Sequence, residues 1–117
     1  RQSMERVVRA DILCMVDGKP IWMTSYSARQ FIEPEAVLQV SPDPLSEAGK
    51  GAFCFMEFPP IAPYLMRIQE LILYRWDRIY PADQWLDLEL STDFCLVSSF
   101  DFSGHSHKKI TKEVYQR

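Results

Sequence analysis

The sequence predicts an α+β domain: an antiparallel sheet of four to six strands, one long amphipathic helix packed on a face of it, and a short C-terminal helix. Three observations carry that expectation. Residues 85–90 and 94–102 alternate apolar and polar side chains in the two-residue period of a strand. Residues 61–80 instead repeat apolar side chains at steps of three and four, the period of a helix. Asp17-Gly18 sits between two apolar runs, where both residues suit the positive φ angles of a tight hairpin turn.

In order along the chain, residues 7–16 and 20–28 are expected to pair as the first hairpin. A two-residue loop then sets Cys14 opposite Ile21 and Ile12 opposite Met23, with Trp22 and Tyr26 on a mixed, partly exposed face. Residues 35–40 fit a short strand or a helical turn equally well. The stretch 41–51 concentrates proline and glycine and is expected to be a loop. Its Gly49-Lys50-Gly51 lacks the second half of a phosphate-binding loop. Residues 52–58 read as a strand ended by Pro59-Pro60.

The long helix is expected over 61–80, with Ile61, Leu65, Ile68, Ile72, Trp76 and Ile79 as its stripe. Pro63 falls in its first turn, where a missing N–H is tolerated, and Pro81 stops it. A second hairpin follows: strand 85–90, a turn at 91–93, and strand 94–102. In that last strand Phe94, Leu96, Phe100 and Phe102 are expected on one face, interrupted by Ser98. Ile110 and Val114 then suggest a closing helix over 107–116, capped by Ser106 or Ser103.

Composition bounds the function. With 117 residues, the chain is expected to form one domain over 4–117, with 1–3 expected as a vector-derived remnant ahead of Met4. At 47% apolar and 13% aromatic it has enough material for a core. A formal net charge of −3 argues against nucleic acid as a partner. With no apolar run of membrane-spanning length and no secretion signal, no membrane association is expected and the location is read as cytoplasmic. Cys14, Cys54 and Cys95 lie far apart in apolar segments and are expected to be buried free thiols.

Chemistry-bearing residues are sparse. Asp101, His105 and His107 form a weak metal candidate, since imidazole nitrogen and carboxylate oxygen both ligate zinc. The adjoining Lys108-Lys109 oppose a bound dication, so no metal and no other cofactor is expected. A nucleophile built from Cys95 or Ser103 with a histidine lacks the setting that stabilises a thiolate. No catalytic residue is assigned, and binding is favoured over enzymatic activity.

Charge is segregated instead. Between Arg78 and Lys108 stand Asp83, Asp87, Glu89, Asp93 and Asp101 with no lysine or arginine among them, whereas residues 108–117 hold four cations and one anion. The partner-binding expectation therefore rests on Asp83, Asp87, Glu89 and Asp93: an inhibitor- or immunity-like protein docking a basic partner, or a homodimer. The alternative is a small-ligand protein or enzyme whose aromatic pocket, between helix 61–80 and the sheet, is lined by Trp22, Tyr26, Tyr64, Trp76 and Trp85.

Overall fold

Val8, Ile12 and Val16, four residues apart, form the buried stripe of an eleven-residue helix, α1 (Arg6–Val16). This and all that follows come from a computed structural model, which describes residues 5–57, 60–76, 90–105 and 108–117. The chain divides into two compact units, Arg1–Glu57 and Phe58–Arg117. The class is α+β, with one parallel and one antiparallel sheet among the described residues, each of three strands.

In the first unit, β1 (Ile21–Met23) lies between β2 (Leu38–Val40) and β3 (Phe53–Cys54), parallel to both. Two one-turn helices, α2 (Ser25–Ala28) and α3 (Pro44–Glu47), interrupt the connections between strands. Ile21 and Met23 are buried and Trp22 half-buried, the alternation of a strand whose faces see different surroundings. Each fully buried aliphatic side chain contributes about 1.5–3 kcal/mol. Phe31 and Phe55 meet edge to face with ring centroids 5.4 Å apart. Arg9 Nε donates to both Glu33 oxygens, at 2.9 and 3.2 Å, tying α1 to the segment ahead of Pro34.

In the second unit a 3-10 helix (Ala62–Arg67) leads into β4 (Glu70–Trp76). A single helical turn, α4 (Leu90–Asp93), precedes β5 (Cys95–Phe102), and β6 (Ile110–Gln116) closes the chain. The strand order is β4-β6-β5, antiparallel throughout. Arg117 fastens the end of the chain to its beginning in this unit. Its Nη2 donates to the carbonyls of Leu65 and, at 2.9 Å, Ile68, and its guanidinium lies 5.0 Å from the Phe94 ring centroid.

This architecture corrects the expected one: no antiparallel sheet of four to six strands and no long helix is found among the described residues. The expected first hairpin is instead helix, turn and strand. Asp17 sits at φ 49°, ψ 53°, donating its N–H to Leu13 O at 3.1 Å, and Gly18 follows at φ 82°. The positive φ angles that suit a type I′ turn equally suit the left-handed end of a helix, and here they end α1.

The expected helix over 61–80 is a 3-10 helix followed by β4 through Trp76; the rest of that segment lies outside the described residues. Ile68, Ile72 and Trp76 are four apart, and a step of four returns to the same face in a strand as well as in a helix. The packed run Leu71-Ile-Leu-Tyr74 then favours the strand. The closing helix over 107–116 fails for the same reason. Ile110 and Val114 share a face of β6, whose Thr111, Val114 and Tyr115 are strand formers. Of residues 35–40, the last three form β2 (Leu38–Val40), and the 41–51 loop contains α3. Strand 85–90 falls outside the described residues except for Leu90, which begins α4.

Candidate functional site

Among the described residues, β5 is the long strand whose side chains remain largely in solvent. Leu96, Val97 and Phe100 are 52%, 53% and 48% exposed, and every residue from Cys95 to Asp101 is classed with the surface. Among the described residues β5 has β6 on one side and no strand on the other. A strand edge without a neighbour presents backbone N–H and C=O groups to solvent, and proteins guard such edges with lysine, proline, a bulge or short length. β5 has eight residues, no proline and no lysine, and its single charge is Asp101.

A β-bulge fixes which residues share a face. β6 pairs Tyr115 with Leu96 but the next residue, Val114, with Ser98, so Val97 is extra in β5. One face consequently carries Cys95, Ser98, Phe100 and Phe102, and the other Leu96, Ser99 and Asp101. The expected grouping of Leu96 with Phe100 and Phe102 is corrected by this bulge, which falls beside Ser98, the residue that breaks the apolar pattern.

On the first face, Tyr74, Lys112 and Phe100 form a row across all three strands. The Lys112 ammonium lies 5.8 Å from the Tyr74 ring centroid and 5.7 Å from that of Phe100. Phe102 neighbours Phe100 at 6.1 Å, and its partner Ile110 is fully buried, so this face passes from core at one end to solvent at its outer rim.

The other face carries a polar cluster beside Leu71, Leu73 and Leu96. Arg75 Nε donates to Glu113 Oε1 at 2.7 Å, and the Tyr115 hydroxyl donates to the same oxygen at 2.9 Å. Burial pushes the Tyr115 phenol above its ordinary pKa, helped by the Glu113 carboxylate and opposed by Arg75. Burial acts to lower the Arg75 pKa, but Glu113 and Tyr115 together outweigh it and the net shift is upward. Nearer the edge, Thr111 Oγ1 donates to Asp101 Oδ1 at 2.6 Å, and Lys109 Nζ stands 3.7 Å from Asp101 Oδ2.

A second polar arrangement lies beyond the ends of the parallel strands. Thr24 follows β1 and caps α2 by accepting the Ser27 N–H, while Glu57 follows β3. Glu57 Oε2 accepts from Ser27 Oγ at 2.5 Å and from Gln30 Nε2 at 2.6 Å. Carboxylate and hydroxyl are within proton-transfer reach, but Ser27 is only 3% exposed and its hydroxyl has no open approach. This cluster ties α2 to the end of β3.

The residues singled out from sequence fall on different elements. Trp22 is in β1 and half-buried; Tyr26 is in α2, exposed, with the Arg29 guanidinium 4.7 Å from its ring centroid. Tyr64 belongs to the 3-10 helix and Trp76 ends β4; Trp85 lies outside the described residues. The pocket drawn for these five has lost the helix meant to wall it. Of the acidic set, Asp83, Asp87 and Glu89 lie outside the described residues, and Asp93 ends α4. Asp101 is on β5 and His105 is exposed just beyond it, with His107 outside the described residues. Among the described residues no group of three His, Cys, Asp or Glu is placed to hold a metal.

Cys14 and Cys95 are exposed and Cys54 half-buried, which corrects the expectation of three buried thiols. Sequence reasoning missed the Ser27–Glu57 tie, though the hydroxyl pair Thr24 and Ser27 directly after the apolar strand is a signal for a cap. No helix among the described residues is long and apolar enough to cross a membrane. No protein-family model and no curated protein matches the chain.

Proposed function

We propose that the chain is a protein-binding module that takes an extended segment of a basic partner protein along the outer edge of β5. The observation that carries this reading is the half-exposure of Leu96, Val97 and Phe100 on an eight-residue strand with no cationic residue. A strand added to a sheet edge gains main-chain hydrogen bonds, and exposed side chains at alternate positions supply selectivity. Complementary charge supports a basic occupant, because the single charged residue of β5 is the exposed Asp101. Three free cysteines, two of them exposed, support a reducing compartment such as the cytoplasm.

The test uses a fluorescein-labelled peptide, Thr-Thr-Ile-Arg-Ile-Thr-Thr, followed by anisotropy. Backbone N-methylation of alternate residues on the pairing edge removes donors without changing side chains. Saturable binding that N-methylation weakens by roughly tenfold or more supports strand addition, since each lost hydrogen bond contributes about 0.5–1.5 kcal/mol. Binding indifferent to N-methylation, or none at all, overturns it. Sedimentation of the protein alone reads the competing outcome, a second copy on the same edge.

A further inference from the structure

The two faces of β5 differ in chemistry at adjacent positions, and that difference selects its occupant. At the C-terminal end of the strand, Phe102 and Phe100 belong to the aromatic face and Asp101, between them, to the opposite face. In an added strand, the residues opposite these three fall on the same faces as their partners. Resting on the reading of β5 as the docking edge, we infer that the occupant is recognised by a triplet of apolar, cationic and apolar residues set against Phe102, Asp101 and Phe100.

The apolar positions follow from the aromatic rim. Phe100 already has the Lys112 ammonium 5.7 Å from its ring centroid on the side of β6, yet remains 48% exposed. A β-branched or aromatic side chain on its far side covers that surface without meeting Lys112 directly, whereas a second cation there crowds the first. Ser98, the next residue on this face, is small and leaves room for a large neighbour.

The cationic position follows from how Asp101 is held. Thr111 Oγ1 orients the carboxylate from the β6 side through a 2.6 Å hydrogen bond to Oδ1. Oδ2 faces Lys109 at 3.7 Å, and both side chains of that pair are more than half exposed, at 59% and 54%. An exposed ion pair of this kind is weak and exchanges readily for another cation. A guanidinium arriving opposite Asp101 replaces Lys109 with a fork that can engage the carboxylate from the edge. Because the triplet reads the same in both directions, it serves a parallel or an antiparallel occupant.

Three labelled peptides test this, Thr-Thr-Ile-Arg-Ile-Thr-Thr and its counterparts with glutamate or threonine in place of arginine, each also as an N-methylated control. The expected result is that wild-type protein prefers arginine over glutamate by about fivefold at low salt, and that Asp101→Lys reverses the order. Asp101→Asn keeps an oxygen acceptor for Thr111 and is expected to erase the preference, which covers the case in which the lysine variant fails to fold. If all three peptides bind equally while N-methylation still abolishes binding, the triplet is overturned and the docking edge survives. If the arginine preference persists in Asp101→Asn, the triplet is likewise overturned. If no peptide binds, the docking edge falls and the triplet with it.

Discussion

Phe100 and Lys112 stand opposite each other across β5 and β6, with the ammonium 5.7 Å from the ring centroid. The cation shields the inner flank of the ring and leaves the outer flank to solvent. A contact of this sort holds an aromatic side chain in place without burying it, as a docking surface requires before its partner arrives.

Phe100→Ala is accordingly expected to separate binding from stability. With Phe100 half-exposed, its removal lowers folding stability by no more than about 1.5 kcal/mol, roughly half the value of a buried phenylalanine. It weakens peptide binding by about tenfold, as loss of an aromatic anchor does. Ile110→Ala, at a side chain with no exposure, is expected to cost about 2–5 kcal/mol. Urea unfolding followed by tryptophan fluorescence checks both; comparable stability losses for the two variants would contradict the assignment of Phe100 to the surface.

Glu57→Ala removes the acceptor for Ser27 Oγ and Gln30 Nε2, leaving the proton of the buried Ser27 hydroxyl without its acceptor while Thr24 Oγ1 still donates to the oxygen. The expected loss is about 1–3 kcal/mol. Ser27→Ala in the same background is expected to recover part of it, because no buried hydroxyl proton is then left there without its acceptor. A double-mutant cycle in urea measures the coupling, and strictly additive effects would show that the two residues do not act together.

Gly18 holds φ at 82° beyond the end of α1, and a Cβ built there meets nothing within 4 Å. Gly18→Ala is therefore expected to destabilise by about 1 kcal/mol through backbone strain alone. The change is read from the urea midpoint, with the far-ultraviolet helix signal of the folded state unchanged. An unaltered midpoint would contradict the left-handed end of the helix.

Tyr115 supplies a pH dependence. Its folded pKa is raised by burial and by Glu113, so the folded state holds the phenolic proton longer than the unfolded chain does. The resulting stability is fully present below the unfolded tyrosine pKa, about 10, and is lost as pH rises through the folded value. Urea midpoints between pH 8 and 11.5, about the range the ordinary tyrosine pKa spans, are expected to fall more steeply for wild type than for Tyr115→Phe. Parallel curves would show that Tyr115 has no such role.

What the sequence reveals of this fold depends on how unambiguous each spacing is. The alternation at 94–102, though interrupted at Ser98, suits a strand, and β5 is there, although Val97 slips the faces by one. Apolar residues at steps of four satisfy both periods, and that spacing gives a helix at Val8, Ile12 and Val16 but strands at Ile72 and Trp76 and at Ile110 and Val114. Asp17-Gly18 is ambiguous in the same way, because a hairpin and a helix end share the left-handed conformation. On β5, the proposed docking edge, Asp101 and Phe100 are legible as residues, but which face each belongs to depends on a bulge that only the pairing with β6 reveals.

The docking edge itself is tested most directly by amide hydrogen exchange across β5, measured with and without the Thr-Thr-Ile-Arg-Ile-Thr-Thr peptide at saturation. The account predicts slowed exchange concentrated at alternate amides of residues 95–102, those pointing away from β6. Peptide binding that leaves 95–102 unchanged, with protection elsewhere in the chain, would contradict it.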